Sequence, residues 1–331
     1  MGAPLEAPIA ASPQPRVTVS LVTWNSAGYL PSCLAGLAGQ TYDNVDLVVV
    51  DNASQDDSLA LVRRLSPRAR VIENRHNEGH CRGQNQAIDT SHGQYFLPLN
   101  PDVTLDPEYI AALVASLETR PEYGSAIGKM WLLDGASDRV LDGTGLFVDR
   151  RRHQYLRGHG QVDRGQYDEP GEVFGADGAA PLLRRTMLED CRLFDQVFDE
   201  AFFAYMEDVD LAWRARLFGW KAWYEPAAMA VHDRSFRPGM RQKMPANLRR
   251  MAVKNRYLTL LKNEGGAAWR RDWWRILSYD LRILGYLLLF ELSSLGSIAD
   301  LRRQSRQAIR WREKIRPRIR VSREDCLAWF R

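Results

Sequence analysis

Apolar and polar positions along this chain follow two distinct periods from residue 16 onward. The runs VTVSLVT (17–23) and VDLVVVD (45–51) are β-branched and almost wholly apolar, which is typical of strands buried on both faces. Further strands are predicted at 69–74, 94–100, 125–132 and 221–226, with helices at 26–37, 54–65, 79–90, 107–117 and 246–263. Strands that alternate with helices indicate βαβ units, and hence an α/β fold with a mostly parallel sheet flanked by helices.

The same pattern divides the chain into three parts. Residues 1–15 lack the basic start and long apolar stretch of a signal peptide, and are predicted to form a disordered leader. Residues 16–240 form the main α/β domain, in which 134–172 is an insertion rich in Gly, Asp and Arg with weak periodicity. Residues 241–331 form a helical C-terminal extension that is aromatic and basic.

The distribution of charge adds more to this picture than its total. The 331 residues carry a net charge of +4, and beyond Asp300 eleven Lys and Arg residues accompany only three Asp and Glu residues. The four cysteines are far apart and form no Cys/His cluster, which argues against a disulfide framework or structural zinc and favours a reducing compartment. We therefore expect a cytoplasmic protein with a basic C-terminal surface.

The C-terminal extension contains the segment WRRDWWRILSYDLRILGYLLLFELSSLGSI (269–298). Asp280, Arg282 and Glu291 interrupt its apolar run, which makes it a poor transmembrane span. Its Trp and Tyr residues, and the basic helix after it, suit a segment that lies in the interface of the inner face of the cell membrane. Packing on the main domain and pairing in a homodimer are the alternatives. Nucleic acid is not an expected partner, because no aromatic platform or binding motif accompanies the charge.

Polar side chains stand where the predicted strands end. The set is Thr23, Asn25, Asp51, Asn77, Asn100 and Asp102. Because ligands of such sheets bind beyond the carboxyl ends of the strands, this edge is the predicted binding site. Asp51 suits a hydrogen bond from a base N–H or a ribose hydroxyl, and it also suits capping of the next helix. Ser54 fits the capping position, which favours ligand contact for Asp51.

Asp102 and His232 are candidates for a cation site. The turn LNPDV places Asp102 after a hydrophobic strand, where oxygen ligands suit a hard divalent cation that bridges two phosphates. Asn-Pro-Asp is also an ordinary turn, so this motif needs companions. His232 follows another predicted strand, and its imidazole is suited to complete the coordination, although a lone histidine is more often structural.

Three acids stand within four residues in FFAYMEDVDLAWR (202–214). Acids in a first helical turn favour the helix dipole, and Asp210 is spaced to pair with Arg214. That accounts for the charge, but not for acids directly behind a bulky apolar run that should be largely buried. A carboxylate held at the edge of a core is a candidate general base.

These separate features, taken in order, resemble the family 2 glycosyltransferases with a GT-A fold. The segments that carry the resemblance are VSLVTWN, VVVDNASQDDS, NEGHCRGQNQAI, FLPLNPDV, GAAPLLRR, FFAYMEDVDLAWRARLFGW and VHDRS, which span about 17–235. Within the family, the chain looks most like bacterial rhamnosyltransferases of cell-surface polysaccharide assembly. The resemblance implies a Rossmann-like, mixed sheet, a nucleotide-binding half at 16–103 and an acceptor half at 104–240.

The resemblance also implies roles for residues. For the nucleotide sugar they are Thr23, Asn25, Asp51, Asn77, Asn85, Asn100 and Asp102; for the acceptor side, Gly178, Ala179, Glu207 and Arg214; for Mg²⁺ or Mn²⁺, Asp102 and His232; and for catalysis, Asp208. Asn100 replaces the first acid of the family's DxD motif, which leaves the metal fewer charged ligands.

The implied reaction is an inverting transfer in which Asp208 is the general base. The expected donor is dTDP-rhamnose, and the expected acceptor is a lipid-linked or growing saccharide. UDP-galactofuranose, UDP-glucose and UDP-N-acetylglucosamine are alternative donors, and a non-catalytic saccharide-binding homologue is an alternative of another class. A Rossmann oxidoreductase is disfavoured, because the first turn, TWNSAGYL, lacks GxGxxG.

Overall fold

The structure is a computed structural model that describes residues 14–133, 139–234 and 241–330, so most of the predicted leader lies outside the described residues. The strands are β1 Val17–Thr23, β2 Val45–Asp51, β3 Arg70–Glu73, β4 Tyr95–Leu99, β5 Val103–Leu105, β6 Tyr123–Leu132, β7 Leu141–Gly143, β8 Leu146–Val148, β9 Gln154–Leu156, β10 Gly171–Val173, β11 Leu182–Arg184 and β12 Lys221–His232. The helices are α1 Leu30–Ala38, α2 Ser58–Leu65, α3 His80–Asp89, α4 Tyr109–Glu118, α5 Arg185–Cys191, α6 Glu207–Leu217, α7 Ala246–Asn263, α8 Gly266–Phe290, α9 Ser297–Ile315 and α10 Arg323–Ala328.

The main sheet is built around β1, in which all seven residues are buried. Its order is β10-β12-β6-β11-β4-β1-β2-β3, with β5 added to β12 and β7 added to β6. β3, β2, β1, β4, β6 and β12 run in one direction, while β5, β7, β10 and β11 run against them. The predicted mixed, mostly parallel sheet is therefore confirmed. The carboxyl ends of the six parallel strands meet at one edge.

One local prediction needs correction. The second helix begins at Ser58 and not after Ser54, and the Asp56 side chain accepts a hydrogen bond from the N–H of Ser58 at 3.0 Å. The Ser54 hydroxyl instead accepts a hydrogen bond from the backbone N–H of Asn25 (3.0 Å), so it ties two loops at the sheet edge together. Within the insertion, β8 and β9 form an antiparallel hairpin, and β7 joins the main sheet.

The C-terminal helices share a hydrophobic core with the α/β domain. Trp311 and Phe330 are buried in the same cluster as Trp213 of α6, and the rings of Trp213 and Phe330 lie 5.2 Å apart. Among the described residues, no helix combines the length and apolarity needed to cross a membrane. The packing therefore makes 241–330 part of the structural support of α6.

A buried ion cluster joins α7 to the start of α6. Lys262 Nζ donates to Asp199 Oδ2 (2.9 Å) and to Asp210 Oδ2 (2.8 Å), and its side chain is fully buried. Asn263 donates to the other oxygen of Asp210 at 2.7 Å. Asp210 therefore has a structural role, as the helix-pairing interpretation predicts. Its nearer partner is Lys262, since Arg214 lies 3.5 Å away.

We expect Lys262→Met to lower the free energy of unfolding by about 3–5 kcal/mol, because it leaves two buried carboxylates without their cation. Urea denaturation measures this change. Lys221→Met is the matched control: Lys221 is 46% exposed and lies 3.6 Å from Glu172, so its loss should cost less than about 1 kcal/mol. Equal effects of the two substitutions would contradict the structural role of Lys262.

Candidate active site

Asp51 and Thr23 end neighbouring strands at the carboxyl edge of the sheet. Asp51 is 3% exposed, and its Oδ2 accepts a hydrogen bond from the backbone N–H of Ser54 at 3.1 Å. Its other oxygen and the Thr23 hydroxyl are buried and have no hydrogen-bond partner in the described part of the chain. A buried acceptor without a donor is costly, so Asp51 Oδ1 is suited to receive an N–H or O–H from a ligand.

Asn25 and Asn77 shape the loops above that acceptor. Asn25 has a left-handed backbone (φ 51°), and its side-chain oxygen accepts from the N–H of Gln55 at 2.7 Å. The Asn77 side chain accepts from the N–H of Gly79 at 2.9 Å, just before α3. Both residues therefore lie at the predicted edge, where they hold turns. Trp24, which the sequence did not single out, is 55% exposed beside them.

The side chains of Asn85 and Arg214 are both used inside the protein, which argues against the ligand contacts predicted for them. Asn85 is buried; it donates to the carbonyl of Phe198 (2.8 Å) and accepts from the N–H groups of Val197 and Phe198. Arg214 is fully buried and donates to the carbonyls of Cys191 and Val197. Both residues fix the segment that precedes the acidic motif.

Asp102 and His232 meet at the same edge, because β5 pairs with the end of β12. Asp102 Oδ1 lies 3.3 Å from His232 Nε2, and the other ring nitrogen lies 2.8 Å from Asp142 Oδ2. Burial alone would lower the pKa of His232, but hydrogen bonds and charge from Asp102 and Asp142 raise it to about 9. Without a metal, His232 is thus an imidazolium between two carboxylates.

Arg234 is a second cation in this corner. Its Nε donates to Asp142 Oδ1 at 2.5 Å. Burial would raise the pKa of Asp142, but hydrogen bonds from His159 and His232 and the charge of Arg234 hold it well below its usual range. The corner therefore contains a fixed anion that orients two cationic groups.

The residues present fit a divalent cation. The Asp102 oxygen and the His232 nitrogen are near enough to share one ion, and such ligands suit Mg²⁺ or Mn²⁺. In the described residues, no group of three His, Cys, Asp or Glu residues forms a complete metal site. An ion held here would take its remaining ligands from water or from a bound diphosphate.

Gly178 and Ala179 connect the acidic motif to the LNPDV turn. The N–H of Gly178 donates to Asp208 Oδ2 (3.1 Å), and the carbonyl of Ala179 accepts from the N–H of Asn100 (2.9 Å). The N–H of Val209 donates to the other oxygen of Asp208 at 2.8 Å. Two backbone donors thus hold this carboxylate at the first turn of α6.

Glu207 and Asp208 are adjacent carboxyl groups in different environments. Burial, together with the Asp208 charge, raises the pKa of Glu207 to about 8, and burial also raises the pKa of Asp208. Glu207 Oε2 is buried without a partner among the described residues, whereas both Asp208 oxygens accept backbone N–H bonds. Backbone donors favour the charged form, so Asp208 is the better base and Glu207 the carboxyl that stays protonated near neutral pH.

The chain approaches these acids through a strained turn. Phe203, Tyr205 and Met206 all have positive φ values (66°, 70° and 69°), which is uncommon for residues other than glycine. Asn255 of α7 donates to the carbonyls of Phe202, Ala204 and Tyr205 at 2.7–3.1 Å. The apolar run is buried only in part, since Tyr205 is 37% exposed. The C-terminal helices therefore hold the turn that presents Glu207 and Asp208.

Sequence reasoning missed several members of this site. Asp142 lies in β7, a strand of only three residues within the insertion, and its sequence LDGTG has no periodicity to mark it. Asp177 directly precedes Gly178, and burial and the charge of Asp142 raise its pKa to about 6. Asn255 lies in an ordinary helical pattern, and Arg234 was noted only as a neighbour of His232. A signal for Asp177 and Arg234 was present in the segments GADGAA and VHDRS.

Comparisons of sequence agree with this geometry. The model of a family described as "Glycosyl transferase family 2" matches residues 18–191. The chain is 28% identical over 322 residues to an N-acetylglucosaminyl-diphospho-decaprenol L-rhamnosyltransferase of Mycobacterium tuberculosis, covering 88% of this chain and 96% of the relative. It is 20% identical over 215 residues (64% of this chain) to a poly-β-1,6-N-acetyl-D-glucosamine synthase of Staphylococcus aureus, of whose length it spans about half (48%).

Solved structures agree in fold. S. aureus TarS (residues 1–349) in complex with UDP-GlcNAc superposes with a TM-score of 0.59 at 16% identity, covering 92% of this chain and 84% of that one. The mannosyltransferase PcManGT of Pyrobaculum calidifontis, in complex with GDP-Man and Mn²⁺, gives a TM-score of 0.55 at 16% identity, with coverages of 95% and 89%. The predicted GT-A fold is confirmed.

Proposed function

Because this chain belongs to glycosyl transferase family 2, and is therefore a glycosyltransferase, we propose that it transfers a sugar with inversion from a nucleoside diphosphate donor, with Asp208 as general base. The observation that carries this proposal is that two groups of side chains meet at one sheet edge. We call them the acidic corner, formed by Asp177, Glu207 and Asp208, and the cationic corner, formed by His232 and Arg234. Asp208 is held by the N–H groups of Gly178 and Val209, and the Asp142 carboxylate holds His232 and Arg234.

The proposed reaction is a single displacement. The acceptor hydroxyl gives its proton to Asp208 while its oxygen forms a bond to the anomeric carbon of the donor. The bond from that carbon to the phosphate oxygen breaks, and its electron pair leaves with the nucleoside diphosphate. Neutral Glu207 adds no second negative charge beside the attacking oxygen. The backbone N–H of Gly178 keeps the Asp208 carboxylate aimed toward the acceptor side.

The cationic corner would stabilise the leaving group. Asp102 and His232 are the residues that would hold Mg²⁺ or Mn²⁺, which neutralises charge on a diphosphate. Asn100 stands where the family motif has an acid, so the chain offers the ion one carboxylate and one imidazole. Arg234, fixed by Asp142, supplies a permanent positive charge beside them.

For the donor we propose dTDP-rhamnose, and for the acceptor a lipid-linked or growing saccharide. The M. tuberculosis rhamnosyltransferase supports this choice because the match covers nearly the whole of both chains. The UDP sugars galactofuranose, glucose and N-acetylglucosamine remain the alternative. For either nucleotide, the oxygen of Asp51 that has no partner among the described residues would accept the ring N–H of the pyrimidine.

We also propose that α8 lies in the interface of an anionic membrane, where a lipid-linked acceptor would be found. Its outer face exposes a stripe of large apolar residues at helical spacing: Trp273, Trp274, Leu277, Leu281, Leu284 and Leu288. The stripe continues to the end of the helix through Leu289 and Phe290 and beyond it to Leu292, and these three residues are 64–76% exposed. Exposed arginines are present on the same helix, at Arg270 and Arg282, and on α9, among them Arg302 and Arg306. An exposed apolar stripe together with exposed basic residues favours anionic lipid as the partner.

The nucleotide is tested by thermal unfolding with dTDP, UDP, GDP and ADP. We expect dTDP to stabilise the protein most, by about 2.7 kcal/mol at a concentration one hundred times its dissociation constant. In Asp51→Asn, the one side-chain oxygen is needed to accept the N–H of Ser54. The amide nitrogen would then face the base, so nucleotide should stabilise this variant less. Stabilisation by UDP alone would favour the alternative donors, and no response to any nucleotide would contradict the proposal.

Catalysis is tested with Asp208→Asn, using the donor that the nucleotide panel selects. We expect kcat to fall on the order of 10²–10⁴-fold with nucleotide binding retained, because the acceptor proton loses its base. Glu207→Gln is the matched variant and should lose much less, since Glu207 is already protonated near neutral pH.

The pH profile gives a second readout of the same carboxylate. Because burial raises the pKa of Asp208, protonation should abolish wild-type activity at a pH above the value of about 3.9 for an exposed aspartate. Full activity of folded Asp208→Asn would eliminate Asp208 as the base. Nucleotide binding without any turnover by the wild-type protein would favour a non-catalytic saccharide-binding role.

Membrane contact is tested by co-sedimentation with vesicles of phosphatidylglycerol and phosphatidylcholine. The triple substitution Trp273→Ser, Leu281→Ser and Leu288→Ser should reduce vesicle binding on the order of tenfold or more, because it removes apolar area that would be buried in the membrane. Leu65→Ser with Ile319→Ser is the control, since both residues are exposed elsewhere. Unchanged vesicle binding by the triple variant would contradict the proposal. If the wild-type protein binds no vesicles and forms a dimer that the triple variant loses, the stripe would instead be a homodimer interface.

A further inference from the structure

Asp142 is a fully buried carboxylate that lies outside the sequence segments that carry the family resemblance. It stands in the middle of β7, whose pairing with β6 and whose contact through Val140 to Leu132 place it beside the ends of β6 and β12. The backbone of the sheet therefore fixes its position. It reaches the cationic corner from the insertion, and not from the strands that carry Asp102 and His232.

Each oxygen of Asp142 serves a different cationic group. Oδ2 lies 2.8 Å from His232 Nδ1, and Oδ1 accepts from Arg234 Nε at 2.5 Å. His159 approaches the same carboxylate, with Nδ1 at 3.3 Å from Oδ1 and 2.5 Å from the backbone carbonyl of Asp142. With both oxygens engaged, Asp142 is not placed to bind an ion itself.

The contact with Asp142 determines which nitrogen of His232 faces the site. An ionised carboxylate only accepts hydrogen bonds, so His232 Nδ1 must carry a proton. His232 Nε2 then points at Asp102, 3.3 Å away. A histidine that binds a metal through one nitrogen characteristically donates from the other to a carboxylate, which fixes the ring and its tautomer.

We propose that Asp142 is a positioning residue for the donor diphosphate: it orients His232 Nε2 toward the cation and holds the Arg234 guanidinium beside it. The inference rests on the proposed function, because it assigns Asp102 and His232 to that cation. It adds a residue from the insertion to the site. It also means that one carboxylate positions both positive charges: the cation bound through His232 and the guanidinium of Arg234.

The test is the Mn²⁺ affinity of Asp142→Asn, measured by the free-ion EPR signal with the nucleotide that binds the wild-type protein. Asparagine has one oxygen, so it cannot accept from both His232 and Arg234. We expect Mn²⁺ affinity to fall about 10–100-fold, with a smaller change in nucleotide affinity without metal. Asp272→Asn is the matched control. Asp272 is also fully buried, and its partners are Arg150 and Arg152 and not the residues assigned to the cation.

Asp272→Asn should lower stability and leave Mn²⁺ affinity unchanged. Wild-type Mn²⁺ affinity in folded Asp142→Asn, or an equal loss in both variants, would overturn the proposal. A wild-type protein that binds nucleotide but no Mn²⁺ would overturn it and leave glycosyl transfer intact, whereas failure to bind either would overturn the proposed function as well.

A measurement on the wild-type protein covers the case in which Asp142→Asn does not fold. ¹⁵N-labelled histidine should show His232 with its proton on Nδ1 when Mg²⁺ and nucleotide are bound. A proton on Nε2 under those conditions would overturn the proposal independently of any variant.

Discussion

The buried ammonium group of Lys262 is the interaction on which the geometry of the acidic motif depends. It joins Asp199, which lies before the strained turn, to Asp210, which lies after it. Between these two anchors the chain passes through three residues with positive φ and reaches Asp208. Asn255, two helical turns earlier in α7, satisfies the carbonyls of that turn. The unfavourable backbone is kept because charges and amides from one helix hold both of its ends.

The site separates charge by position. Asp208, Glu207 and Asp177 occupy one corner, where burial raises the pKa of each carboxyl group. His232 and Arg234 occupy the other, where burial opposes the charged form but Asp102 and Asp142 raise the pKa of His232, and chiefly Asp142 raises that of Arg234. The proposed displacement, which takes up a proton at one end and releases negative charge at the other, would be stabilised by this polarity. The fold produces it by bringing the ends of β4, β12 and β7 and the start of α6 to one sheet edge.

Much of the fold was predictable from sequence, because buried parallel strands are continuous apolar runs with sharp ends. VTVSLVT and VDLVVVD match β1 and β2 residue for residue, and Asp102 and His232 do lie together. The supports of the site were not predictable, since Lys262 and Asn255 act across about fifty residues of sequence. Asn85 and Arg214 look like ligand-binding residues by type, but their partners are backbone carbonyls that only the tertiary structure brings near.

The placement of α7 has a consequence for the order in which this protein becomes competent during synthesis. All ten strands of the main sheet precede residue 233, so the ribosome releases the nucleotide half and the cationic corner first. The supports of the acidic turn emerge later, a few seconds apart at roughly 5–20 residues per second. A chain that ends before α7 would thus lack the groups that hold the turn before Glu207 and Asp208. The acidic motif therefore reaches its final geometry only after α7 has been synthesised.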